Sequence, residues 1–135
     1  MRTCVLTACC FMAAVLLSGC GAPGKLQARG RILKDGASLV PAAEEAVRVM
    51  FVPIPDAGQR VSDFYMANFN RADGSFRAAG KDGQGVPPGK YRIAIEHLRD
   101  RRDILKGAFD AERSPFVREV NAQSGEIVLD LARPQ

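Results

Sequence analysis

Thiols, imidazole and carboxylates are the side chains that carry most protein chemistry, and in this 135-residue chain they are dealt out unevenly. All four cysteines, Cys4, Cys9, Cys10 and Cys20, lie at or before position 20, while the single histidine, His97, stands far from them. A structural or catalytic zinc needs three or four nitrogen and sulfur ligands, so a lone histidine predicts no metal site. His97 follows Ile95 on the same strand parity, and is expected as a partly buried, hydrogen-bonded side chain at a strand end. Ser62, Ser75, Ser114 and Ser124 fall at turns or element boundaries, and none sits in an elbow motif that would expose a nucleophile. Asn68, Asn70 and Asp73 gather oxygen atoms around a turn, but one carboxylate with Arg71 in its midst is a poor calcium set. The expectation is therefore no catalytic residue, no metal and no cofactor.

Cys20 is the exception, because its neighbours give it a context. Arg2 is the only charge ahead of an apolar run from Val5 to Leu17, and the small residues Ser18 and Gly19 follow, in the order of a secretory signal peptide. The run is shorter than the roughly 20 apolar residues a spanning helix needs. Leu17-Ser18-Gly19-Cys20 resembles the lipobox of bacterial lipoproteins at every position. That resemblance implies that the Cys20 thiol takes a diacylglyceryl group, that the Gly19–Cys20 bond is cut, and that Cys20 becomes the N-terminus. Burying one acyl chain gives about 0.8 kcal/mol per CH₂ and only marginal attachment, so stable anchoring takes a second chain. The implied partner is the lipid bilayer, and the implied location is the cell envelope, lipid-anchored and facing the periplasm or the exterior. The domain organisation expected is a lipoprotein signal peptide over 1–19, a lipidated cysteine and short linker over 20–27, and one folded domain over 28–135.

Beyond the leader, composition excludes more than it selects. The net charge of +4 arises from interleaved signs, as in Arg99-Asp100-Arg101-Arg102-Asp103, and not from the acid-free basic stripe that nucleic-acid binding requires. No cysteine follows position 20, so the domain owes its stability to packing and to no disulfide. The absence of Trp argues against an aromatic platform for sugars or bases.

The elements that would hold such side chains read mainly as strands. Ala28 to Lys34 ends in the turn signal Lys34-Asp35-Gly36, and Val47 to Pro53 is apolar on both parities until Pro53 and Pro55 stop it. Ala42 to Val47 is expected to form one helical turn. Phe64 to Asn70, Ala72-Asp73-Gly74-Ser75 and Phe76 form a hairpin pattern. After Val86-Pro87-Pro88-Gly89-Lys90 come Tyr91, Ile93 and Ile95 in strict alternation with Arg92, Ala94 and Glu96. Leu98, Leu105 and Phe109 sit at spacings that suit a short helix or a long loop crossing the sheet. Phe116 to Val120 and Glu126 to Ala132 close the chain as strands. About seven short strands with frequent turns predict an all-β fold, a single antiparallel β-sandwich.

The order of these motifs, from the Gly-Arg-Ile strand through the Lys-Asp-Gly turn, Val-x-Val-x-Phe-Val-Pro, and Val86-Pro87-Pro88-Gly89-Lys90-Tyr91-Arg92-Ile93, resembles the carboxypeptidase-regulatory-like, or transthyretin-like, β-sandwich of small bacterial lipoproteins. Related hydrolases of the purine pathway use several histidines and a C-terminal tyrosine motif, neither of which is here, so the resemblance does not imply that activity. Some related domains carry a Lys-to-Asn or Lys-to-Asp isopeptide cross-link, for which Lys34, Asp130 and Glu96 would be cast, but the outward parity of both acids opposes it. The function expected is a non-enzymatic, membrane-anchored envelope lipoprotein whose domain is a structural or protein-interaction module, engaging an envelope protein or glycan. The alternative is a carrier or sensor of a small molecule or carbohydrate in the loops. Loops on a rigid scaffold collect binding residues, so Arg101, Arg102, Leu105 and Phe109 in Leu98 to Arg113 form the candidate partner-binding loop, with Asp56 to Asp63 as a second segment. Leu105 and Phe109 could equally close one end of the core.

Overall fold

A computed structural model of the chain describes residues 24–57 and 63–134. The strands are β1 (Ala28–Lys34), β2 (Ala37–Ser38), β3 (Glu45–Pro53), β4 (Tyr65–Phe69), β5 (Ser75–Ala78), β6 (Gly89–Arg99), β7 (Arg102–Asp103), β8 (Val117–Val120) and β9 (Ile127–Asp130). No helix occurs among the described residues, and the fold is all-β. The strands join one curled sheet in the order β2-β1-β5-β4-β3-β6-β7, with β8 added along β6 and β9 along β1. Every pairing is antiparallel except β1 with β9, where Gly30 to Leu33 run parallel to Ile127 to Asp130.

Alternation drives the curl, because one face of each strand is apolar and must be covered. Ile32, Val49, Phe51, Ile93, Ile95 and Leu129 are fully buried on the concave side, together with Phe116 from the segment before β8. The whole of β3 pairs with β6, from Glu45 opposite Arg99 to Pro53 opposite Tyr91, and this ladder is the spine of the molecule. Ring contacts tie the flanks to it: Phe51 lies 6.1 Å from Phe76 and 5.9 Å from Tyr91, centroid to centroid. The chain end is drawn close at Gly30, where a Cβ would strike the Ile127 carbonyl oxygen and the Phe76 ring. Only glycine permits β9 to approach there.

One expectation needs correction and two are sharpened. Among the described residues, seven strands of four or more residues match the expected number, and β2 and β7 add two-residue ladders too short to show a period. Ala42 to Val47 forms no helical turn: Glu45 donates its amide to the Ala42 carbonyl at 3.0 Å in a turn and then opens β3. Of the short helix or long loop expected over Leu98 to Phe109, the loop is what forms, although Leu98 and Arg99 still belong to β6, which continues past its regular alternation.

Candidate functional site

Cys20, Gly19 and the leader lie outside the described residues, as do positions 58–62 of the Asp56 to Asp63 segment. The other candidates belong to the loop after β6, which divides into an exposed tip and a buried base. Arg99 pairs with Arg102, so Asp100 and Arg101 form a two-residue hairpin connection with φ of 50° and 65°. Positive φ at both central residues defines the turn that matches strand twist, and it ordinarily selects Asn-Gly or Asp-Gly. Arg101 occupies the glycine position, at a steric cost of about 1–2 kcal/mol. It and Arg102 are exposed, whereas Leu105 is half-buried against the core and Phe109 is buried, its ring stacked 5.4 Å from Phe116.

Asp103 shapes the loop between tip and base. One of its carboxylate oxygens accepts the His97 and Leu105 amides at 3.1 and 3.0 Å, and the other accepts the Gly107 amide at 2.8 Å. The Ile95 amide then donates to the Phe109 carbonyl at 2.8 Å, which fixes Phe109 beneath the loop. Residues 100–113 therefore hang from β6 by backbone bonds and by the Asp103 carboxylate, and the arginine tip stands on an anchored base.

Beside this loop the concave side opens at a mouth whose lining is charged. Continuing the inward parity of β3 back from Phe51, Val49 and Val47 gives Glu45, and continuing that of β6 forward from Ile95 gives His97 and Arg99. Glu45 and His97 are buried. His97 Nε2 lies 2.7 Å from Glu45 Oε2, Arg99 donates Nε–H to Oε1 at 2.8 Å with a second bond from its terminal nitrogen, and the Ala42 amide donates to Oε2 at 3.1 Å. The Arg99 guanidinium, followed by the Ala42 amide and His97, holds the Glu45 carboxyl at about 2, below its ordinary 4.5. With Glu45 ionised, Nε2 carries the hydrogen that Oε2 accepts, and the buried Nδ1 has no partner among the described residues. A cavity of about 440 Å³ at this mouth is lined by Lys34, Ser38, Glu45, His97, Arg99 and Ile104 among others.

Sequence reasoning placed His97 inward but left Glu45 and Arg99 unmentioned as a unit. The parity of β3 was the signal, and the turn expected over Ala42 to Val47 masked it. The side chains considered for other chemistry stay apart. Glu96 faces Arg48 at 3.6 Å on the outer face, away from Lys34 and Asp130 at the β1–β9 edge. The Asn70 and Asp73 oxygens accept the Ala72 and Ser75 amides at 3.0 and 2.9 Å, as in a plain hairpin turn.

The fold and these groups define a class, an all-β protein built from one curled and mainly antiparallel sheet with a charged mouth. No protein-family model, no curated protein and no solved structure matches the chain.

Proposed function

We propose that this chain is a lipid-anchored envelope protein, acylated at Cys20, whose curled sheet is a variant of the transthyretin-like, carboxypeptidase-regulatory-like sandwich and acts as a non-enzymatic protein-interaction module. The observation that carries the interaction role is the hairpin tip: Arg101 is held at positive φ where glycine is cheaper, exposed beside Arg102, on a loop anchored by Asp103. Local strain at an exposed, rigidly mounted side chain points from geometry toward function. The non-enzymatic reading draws on Glu45, whose two oxygens are committed to Arg99, His97 and the Ala42 amide. A carboxylate with a pKa near 2 is a poor general base at neutral pH, where proton transfer favours groups that titrate nearby. A second reading, a carrier of a small polar molecule, is favoured by the mouth cavity of about 440 Å³, which falls within the size of ordinary ligand pockets.

The tests separate anchor from module. Tagged fatty acid should label the protein, and a Cys20→Ala form that still labels and still fractionates with membranes would end the lipoprotein reading. Arg101→Gly should melt no lower than the parent, because glycine relieves the turn, yet lose capture of the partner that the parent retrieves from detergent-solubilised envelopes. Capture that survives in this variant and in Arg102→Ser would remove the tip from the binding surface.

A further inference from the structure

The convex face of the sheet holds an arrangement that the mouth and the hairpin leave unused. Arg29 on β1 stands directly opposite Arg77 on β5, and Arg77 stands opposite Asn68 on β4, all three exposed. The neighbouring arginines have acids: Arg31 donates to Glu126 at 2.8 Å, and Arg48 lies 3.6 Å from Glu96. Arg29 and Arg77 have none among the described residues. Like charges directly opposed on an antiparallel pair destabilise it, so these strands carry a conflict that no ion pair to either arginine relieves among the described residues. A cavity of about 540 Å³ lies over the pair, lined by Arg29, Asn68, Ser75, Arg77 and Glu126 among others, with the Glu126 carboxylate taken up by Arg31.

Two guanidinium forks side by side fit the oxygens of a phosphate, each able to donate two parallel hydrogen bonds. The Asn68 amide adds donors at the same height on the next strand. We propose that the outer face of β1, β5 and β4 binds the phosphodiester of an anionic phospholipid headgroup, with Arg29 and Arg77 on its oxygens and Asn68 beside them. The choice of a lipid as the source rests on the anchored reading. Arg29 follows Cys20 by nine residues, so at 3.3–3.6 Å per residue the chain keeps it within roughly 30 Å of an acylated Cys20. A tether that short holds β1 over the bilayer surface, where anionic headgroups attract arginine.

The test uses the mature protein in maltoside micelles, with phosphatidylglycerol, phosphatidylcholine or inorganic phosphate titrated in. The Nε–H resonances of Arg29 and Arg77 should shift saturably with phosphatidylglycerol, and Arg29→Gln with Arg77→Gln should weaken the response read at Asn68 roughly 30-fold. The charge-matched pair Lys90→Gln with Lys106→Gln should leave it unchanged. Equal shifts with phosphatidylcholine, silent arginines, or equal weakening in the charge-matched pair would overturn the site. A response to inorganic phosphate as strong as to phosphatidylglycerol would overturn the lipid assignment. The intact mass of the same sample reports Cys20 acylation separately, so arginines that respond in an unacylated chain would defeat the anchor and leave the headgroup site standing.

Discussion

The same two strands build both ends of the concave interior, and the ends could hardly differ more. At one end the inward row of β3 and β6 finishes in Glu45, His97 and Arg99, bound to one another by charge-assisted hydrogen bonds. At the other it finishes in Phe51 and Tyr91, with Tyr65 packed edge-on to Tyr91 at 6.1 Å and Phe76 against Phe51. Apolar burial is non-directional and insensitive to pH, whereas the charged end depends on one carboxylate staying ionised. The two ends should therefore fail differently, one by losing volume and the other by gaining a proton.

The largest effect is expected from Phe51→Ala, which empties a fully buried site between two rings. A truncation of this kind costs about 3–5 kcal/mol, a large share of the total stability of a domain this size. Urea denaturation should register it as a lower midpoint at every pH below the alkaline range in which Tyr91 titrates. A loss that varied strongly with pH would break the contrast drawn between the ends.

Glu45→Gln sharpens the other side. The folded chain holds the Glu45 carboxyl at about 2 against an ordinary 4.5, so ionisation is favoured by folding. Its contribution is complete above about 4.5 and is lost as pH falls through the folded value of about 2. Melting of the parent and of Glu45→Gln should thus differ most near neutrality and converge between pH 4.5 and 2. Depressed carboxylates elsewhere, such as Asp110 beside Arg113, act on both proteins alike and cancel in the difference. A gap that stays constant down to pH 2 would show that Glu45 is not the group titrating there.

The contrast between the ends also explains what could be read in advance. Tyr91, Ile93 and Ile95 announce their strand because alternation is a local property, and the all-β class follows from many such segments. The charged trio was harder to see because its pairing is long-range: Glu45 and Arg99 meet only when β3 lies antiparallel to β6 in one register. Residue type gave no help either, since Glu44 and Glu45 are adjacent acids of which only the second is buried. At the hairpin tip Asp100 and Arg101 lack the Asn-Gly signature, so nothing in composition marked a two-residue turn there. The opposed arginines of β1 and β5 depend likewise on register. Phe109 was the divided case, since an apolar loop residue can face either way, and the carbonyl bond to Ile95 turns it inward.

The smallest effect is expected from Tyr91→Phe, which leaves the aromatic end packed but removes the Tyr91 hydroxyl's hydrogen bond. The Tyr91 hydroxyl donates to the Pro87 carbonyl at 2.6 Å, and burial, with a lesser contribution from Tyr65, pushes the phenol up to about 12 from 10.0. Phenylalanine keeps the ring contacts with Phe51 and Tyr65, so the cost at neutral pH should be about 1 kcal/mol, that of a single hydrogen bond. The sign at high pH follows from proton counting. Between pH 10.0 and about 12 the unfolded chain has released its phenolic proton while the folded chain still holds it, so stability falls as pH rises through that window. Tyr91→Phe has no such proton and should lose that part of the alkaline slope, so that the parent's advantage shrinks and then reverses on the basic side, whereas parent and Glu45→Gln converge on the acidic side. An alkaline limb unchanged in Tyr91→Phe would mean that the phenol is hydrated in the folded chain, and that the aromatic end is less closed than its rings imply.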